Sequence, residues 1–304
     1  MSITKILTSN VDVAMDVAGH NFEVEKTPLS YNGGIVPDHV AVVNKETGKY
    51  LGTVGIGYEP VQPKVIYTLA QELMDSTVGT INGVINMMNG AVIGISFSLA
   101  EREYVAGDPT ELNFLMLTSF NGTYALCGSA TTNRISCLNQ VNASSRIYSL
   151  KHTRFVGNRI GVVKNIMKYY NHEIKSFDKK MEKLVNTRMD TGEALDWFRS
   201  LFPVPKSPLS ERKLEKTVIT FLECLQNGRG SNIPGVRGTS YGAFQALTEY
   251  INHHRTIRVH EGRDEDEVRF RSIHFGSSNT LAQKGINSLT VNDMEFSEED
   301  FMIE

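Results

Sequence analysis

The feature that most constrains this chain is a single apolar seam. Ile160, Val163, Met167, Tyr170, Ile174, Phe177, Met181 and Leu184 recur at spacings of 3, 4, 3, 4, 3, 4 and 3. Only a helix puts such a series on one face, and a stripe that long must be buried against another helix or a sheet. Lys164, Lys168, His172, Lys175 and Lys179 fall nearly opposite, where they meet solvent or a ligand. Ahead of the seam the period changes to two. GVINM and AVIGISFSL flank Asn89-Gly90, and LNFLMLTSF and TYALCGSAT flank Asn121-Gly122. Asn-Gly between apolar runs marks a hairpin, because a tight two-residue turn needs positive φ at both centres. HVAVV and KYLGTVGIGYEPV form another strand pair across NKETG, ended by Pro60 and Pro63.

These patterns predict an α+β fold. An antiparallel, hairpin-built sheet of five or more strands spans 39–130, with a helix at 65–75 packed on one face. VDVAMDVAGH reads as a short helix and HNFEVEKTPLSY as an edge strand. A mainly helical half follows. Asp190 with Glu193 forms a capping box, Ser207-Pro208 opens one helix, and YGAFQALTEYINHHRT forms another. VRFRSIHFGSSN reads as a returning strand. The expected organisation is a hairpin-rich core over 1–157, a helical region with a Gly-rich loop over 158–286, and an acidic tail over 287–304, expected to be disordered.

Charge is uneven. The formal net charge is −3, yet the last 18 residues hold six acids and no Lys or Arg, so the body carries 31 bases against 28 acids. Within 151–188 there are ten Lys or Arg and three acids. The stretch from Thr131 to Phe155 places Arg134, Arg146, Lys151, His152 and Arg154 among small polar residues with no carboxylate between them. A basic sheet edge followed by a lysine-striped helix is what a groove for a phosphate backbone requires. Arg134, Arg146, Lys151, Arg154 and Arg159 are the expected phosphate contacts, with His152 as a hydrogen-bond donor. Lys164, Lys168 and Lys175 extend the track, and Tyr58 and Tyr148 are the candidate stacking surfaces.

Other motifs carry less. GRGSNIPGVRG lacks the context of a P-loop and reads as a plain loop. His253, His254 and His260 have no matched Cys or His pair and read as surface histidines rather than a metal site. DEDE at 264–267 reads as a solvated turn. No GxSxG or HExxH is present, so no catalytic residue, cofactor or metal is assigned. Cys127, Cys137 and Cys224 are few and odd in number, which fits a reducing compartment and three buried small hydrophobes. No apolar run approaches a membrane span, and the first residues lack a signal pattern.

KYLGTVGIGYEPVQ, LTSFNGTYAL, TTNRISCLNQ, SLKHT, GTSYGAFQALTEYINHHR and FRSIHFGS resemble, in order, the phage/plasmid-like family catalogued as domain of unknown function number 932. Thr132, Arg134, Cys137 and Asn139 match its T-x-R-x-x-C-x-N segment, and His152-Thr153 its HT. The resemblance implies a phage, prophage or plasmid origin and a cytoplasmic setting, and names no activity. A hairpin-rich sheet with a basic edge in that setting is similar to the Rad-fifty-two-like annealing proteins of phage recombination, which form rings around an outer DNA groove. The expected function is therefore binding and annealing of single-stranded DNA by a homo-oligomer, without catalysis. The acidic tail would contact replication or recombination proteins. Two alternatives are a protein-binding regulator that inhibits a host factor, and a metal-dependent nucleic-acid-processing enzyme whose ligands converge only in three dimensions.

Overall fold

The computed structural model describes residues 2–75, 79–135, 139–142, 148–154 and 166–290. The N-terminal part carries two antiparallel sheets. The smaller runs β2 (Val24–Tyr31), β3 (Gly34–Asn44) and β4 (Tyr50–Gly55), in that order. Its first turn is Asn32-Gly33, with φ of 50° and 79°, a third Asn-Gly hairpin that the sequence reading passed over.

The larger sheet has the order β1-β5-β6-β7-β8-β10, with β9 also paired to β8. Its strands are β1 (Ser2–Thr8), β5 (Thr80–Met87), β6 (Val92–Glu103), β7 (Pro109–Ser119), β8 (Leu126–Arg134), β9 (Asn139–Asn142) and β10 (Tyr148–Leu150). The expected single sheet over 39–130 is thus two. Pro60 and Pro63 stop the first ladder, and α2 (Pro63–Asp75) carries the chain away before β5 begins. Helix α1 (Val11–Ala18) is capped by the Asn10 side chain and ends at Gly19 with φ 65°. On α2, Ile66, Leu69, Ala70 and Leu73 pack into a core with Ile93, Ile95, Phe97, Phe114 and Met116 of the large sheet.

The helical part contains α3 (Ile166–Asn186), α4 (Thr191–Ser200), α5 (Pro208–Asn227), α6 (Ser240–Glu249), α7 (Glu265–Phe275) and α8 (Ser277–Thr290). Of the apolar seam, Ile160 and Val163 lie outside the described residues; along α3, Tyr170, Ile174, Phe177, Met181 and Leu184 are all buried. At roughly 1.5–3 kcal/mol per buried large side chain, that face dominates what fixes the helix. Tyr170 and Ile174 join the sheet core, whereas Phe177, Met181 and Leu184 join a second core built around α6. One helix therefore feeds both cores. All ten residues of α6 are buried, so it is the central rod of this half.

The capping boxes at Asp190 and Ser207 are present. The segment read as a returning strand is instead α7. Its buried residues Phe270, Ile273 and His274 follow a helical spacing. The run DEDE is not a free turn but the start of that helix: Asp264 accepts the N–H of Glu267 at 3.0 Å, and the three following acids sit in the first turn, where the helix dipole favours negative charge. The expected disordered tail over 287–304 begins later than read: residues 287–290 close α8, with Thr290 buried, and 291–304 lie outside the described residues. No described helix is long and apolar enough to cross a membrane.

Candidate functional site

The residues expected to hold a phosphate backbone separate into three groups. Arg134 is in the interior, 3% exposed. Its Nε lies 2.7 and 2.8 Å from the two carboxylate oxygens of Asp108, which is wholly buried and also accepts the Tyr241 hydroxyl at 2.8 Å. The outer nitrogens of Arg134 donate to the carbonyls of Arg229 and Gly230 at 3.3 Å. This arginine joins β8 to the loop after α5 and does not face solvent. His152 is also buried. Its Nδ1 donates to the Glu59 carbonyl at 3.1 Å, which leaves Nε2 to accept from the Thr118 hydroxyl, and burial holds its pKa below the ordinary value. Tyr58 stacks on that imidazole at 4.7 Å and donates its hydroxyl to the Ser119 carbonyl; burial pushes its pKa up to about 12. Tyr148 packs its ring where a Cβ on Gly128 would sit, and its buried hydroxyl has no hydrogen-bond partner among the described residues. These four side chains hold the sheet together rather than offer a docking face.

Lys151, Arg154 and Lys175 are exposed, together with His172 and Lys179 on the outer face of α3. Lys168 lies in α3. Arg146, Arg159 and Lys164 lie outside the described residues, as does Cys137.

A different cluster converges where α5, α6 and the turn after α6 meet. Cys224 occupies the last turn of α5, Glu249 ends α6, and His254 ends a π-helical turn over Tyr250–His254. One ligand atom from each lies within 4.8 Å of the others. The π-turn makes this possible. Its i→i+5 bond, from Arg255 N–H to the Tyr250 carbonyl at 2.7 Å, winds the backbone wide. In an α-helix, residues five apart would point about 140° away from one another. The wider turn brings His254 round to the side of Glu249.

Cys224 and Glu249 are buried, at 5% and 7% exposure, and His254 is exposed. The Glu249 carboxylate accepts the Arg229 N–H at 3.3 Å, and no ion pair to it occurs among the described residues. Burial, and then the charges of Glu249 and Glu223, push the Cys224 thiol up to about 12. Gly228 closes the site: a Cβ there would fall 2.2 Å from the Cys224 carbonyl oxygen and 2.4 Å from Glu249 Oε2. Thiolate, carboxylate and imidazole together are a donor set suited to zinc. With Zn–S near 2.3 Å and Zn–N near 2.0 Å, tetrahedral donors stand about 3.5 Å apart, closer than the 4.8 Å limit that bounds these three. The sequence reading judged His254 only against Cys and His pairs at short spacing and left it on the surface. Its partners come from two other elements, and no local motif marks them.

On the opposite face of the large sheet, a polar cavity of about 220 Å³ is lined by Asn82, Glu111, Asn113, Asn133, Gln140 and His274. The Asn82 amide donates to Asn113 Oδ1 at 2.7 Å and to Glu111 Oε1 at 3.2 Å. His274 is buried. Its Nδ1 donates to Asn142 Oδ1 at 3.0 Å, while the Asn142 amide donates back to the His274 carbonyl at 2.7 Å. Burial lowers its pKa to about 4, so the ring is neutral.

Fold and donor set together define an α+β protein with a candidate single-metal centre at the seam between two helices. The chain belongs to the family described as Domain of unknown function (DUF932), whose model matches residues 50–274, about three quarters of its length. No curated protein and no solved structure matches it.

Proposed function

We propose that this protein is a metal-dependent nucleic-acid-processing enzyme in which Cys224, Glu249 and His254 hold one divalent cation of the zinc class. The observation that carries this reading is the convergence of three different ligand types within 4.8 Å, two of them buried. Three protein ligands leave a fourth position, which the exposed side of His254 opens to solvent. Such an ion would supply Lewis-acid chemistry and activate a water at the open position. Glu249 and Cys224 would neutralise the cation, and Gly228 keeps their approach clear. The nucleic-acid half of the reading is supported by the exposed Lys151, Arg154, His172, Lys175 and Lys179, since such groups bind phosphates and release counterions.

The test is metal content by mass spectrometry on protein purified with and without chelator, followed by a strand-cleavage assay on single-stranded DNA. One zinc per chain, lost in Cys224→Ser and His254→Ala together with activity, is the expected result. Protein that takes up no zinc at micromolar concentrations would end the proposal.

A second reading, annealing of single-stranded DNA by a phage or plasmid protein of the Rad-fifty-two-like kind, is favoured by the basic outer face of α3. It needs no metal. Filter binding at two salt concentrations, with chelator present, separates the two: annealing through several phosphates weakens steeply with salt and ignores the chelator.

A further inference from the structure

The stretch between the π-turn and α7 returns over the end of the β5–β6 hairpin and builds a second concavity. A cavity of about 220 Å³ there is lined by Met87, Met88, Tyr124, Arg258, His260, Arg263, Glu267, Val268 and Arg271. Its floor is apolar and largely buried, with Met87 at 2% and Tyr124 at 7% exposure. Its rim is cationic: Arg258, His260, Arg263 and Arg271 are all exposed. The Arg271 guanidinium lies 5.8 Å from the centre of the Tyr124 ring. The one acid in the lining, Glu267, is engaged, since its carboxylate accepts the Met88 N–H. Among the described residues, Arg258, Arg263 and Arg271 form no ion pair. Met88, Arg263 and Glu267 also line a larger, polar cavity of about 790 Å³ that reaches Asn89, Lys49 and Phe22. The two therefore share a wall, and Arg263 stands between them.

Three exposed guanidinium groups line one hollow beside a single carboxylate, so its rim carries an excess of positive charge that an anion offsets. Arginine forks match phosphate oxygens two at a time. An apolar floor beside the fork suits a flat ring, and the adjoining polar cavity suits a sugar or a following nucleotide. We infer that this concavity is a binding site for the terminal phosphate of a nucleoside phosphate, with the phosphate on Arg258, Arg263 and Arg271 and the nucleoside over Met88 and Tyr124. The same chemistry is offered by a free mononucleotide and by the phosphorylated 5′ end of a strand. The inference goes beyond the metal reading and shares no residue with it.

Fluorescence anisotropy on the full chain tests it. The probes are a 3′-labelled single-stranded 12-mer carrying either a 5′-phosphate or a 5′-hydroxyl, with adenosine monophosphate, adenosine and inorganic phosphate as competitors. The 5′-phosphate is expected to tighten binding about tenfold, the effect of losing roughly one charge-assisted contact pair. Arg258→Gln with Arg271→Gln should remove that difference. Competition by the mononucleotide assigns the site to free nucleotides as well as to strand ends, and its failure to compete assigns it to strand ends; both support the shared chemistry. Equal binding of the two 12-mers with no competition by the mononucleotide overturns the inference, as does a phosphate preference that survives the double substitution. Because both substituted residues are exposed, circular dichroism of the double variant should match the parent. Repeating the measurement on Cys224→Ser shows whether the site outlives loss of the metal ligands, as it should.

Discussion

Arg134 separates a structural role from a binding role. Replacing it by Ala strips the buried Asp108 of its cation and leaves that carboxylate only the Tyr241 hydroxyl among the contacts described above. It also frees the carbonyls of Arg229 and Gly230. Removing one partner of a buried ion pair costs about 3–5 kcal/mol. Against the 5–15 kcal/mol typical of a folded domain, that is a large share of the total. Urea unfolding followed by the fluorescence of the single tryptophan, Trp197, and by circular dichroism should show the loss. The double variant Arg134→Met with Asp108→Leu removes both charges and should recover part of the loss, while the Arg229 and Gly230 carbonyls and the Tyr241 hydroxyl still lose these partners. A surface phosphate contact behaves in the opposite way. If Arg134→Ala unfolds within about 1 kcal/mol of the parent while affinity for single-stranded DNA collapses, the buried staple is refuted.

Four further outcomes follow from the geometry. His274 has a folded pKa near 4 against an ordinary 6.5, so the unfolded chain binds the extra proton between those values. Its contribution is complete above pH 6.5 and falls away as the pH drops toward 4, by about 3 kcal/mol, and His274→Asn should flatten an unfolding series across that window. Gly228→Ala should lower the melting temperature and weaken zinc uptake together, since the added carbon collides with the Cys224 carbonyl and Glu249; zinc uptake unchanged from the parent would show the donors are not held there. Zinc should raise the melting temperature of the parent and leave Cys224→Ser unmoved, as expected when a ligand binds the folded state alone. Asp190→Ala removes a reciprocal cap on α4 and should cost about 1 kcal/mol in urea unfolding.

The hairpins at Asn89-Gly90 and Asn121-Gly122, the seam of α3, the capping box at Asp190 and the helix start at Ser207-Pro208 were legible because each is a local signal with a local cause. The division into two sheets was not, since it depends on where α2 sends the chain. Arg134 was misplaced because charge was counted along the sequence. Residues 126–132 of β8 are buried on both faces, so no alternation marked the arginine; its burial goes with Asp108 and the loop after α5, partners distant in the chain. VRFRSIHF misled in the other direction: alternating large residues look like a strand, while Phe270, Ile273 and His274 fit a helix only once its acidic cap is recognised. The three residues of the candidate metal centre carried no readable mark, because their meeting depends on the α5–α6 contact and on a turn type that propensity does not foretell.

That wide turn gives chain length a chemical meaning. A π-turn amounts to one residue inserted into an α-helix. A homologue could keep Cys224, Glu249 and His254 intact and, by lacking a single residue between the last two, rewind to regular pitch and swing the imidazole away from the thiol. Within this family, competence to hold a cation would then be inherited as an insertion, and relatives sharing all three letters would divide into those that bind and those that do not.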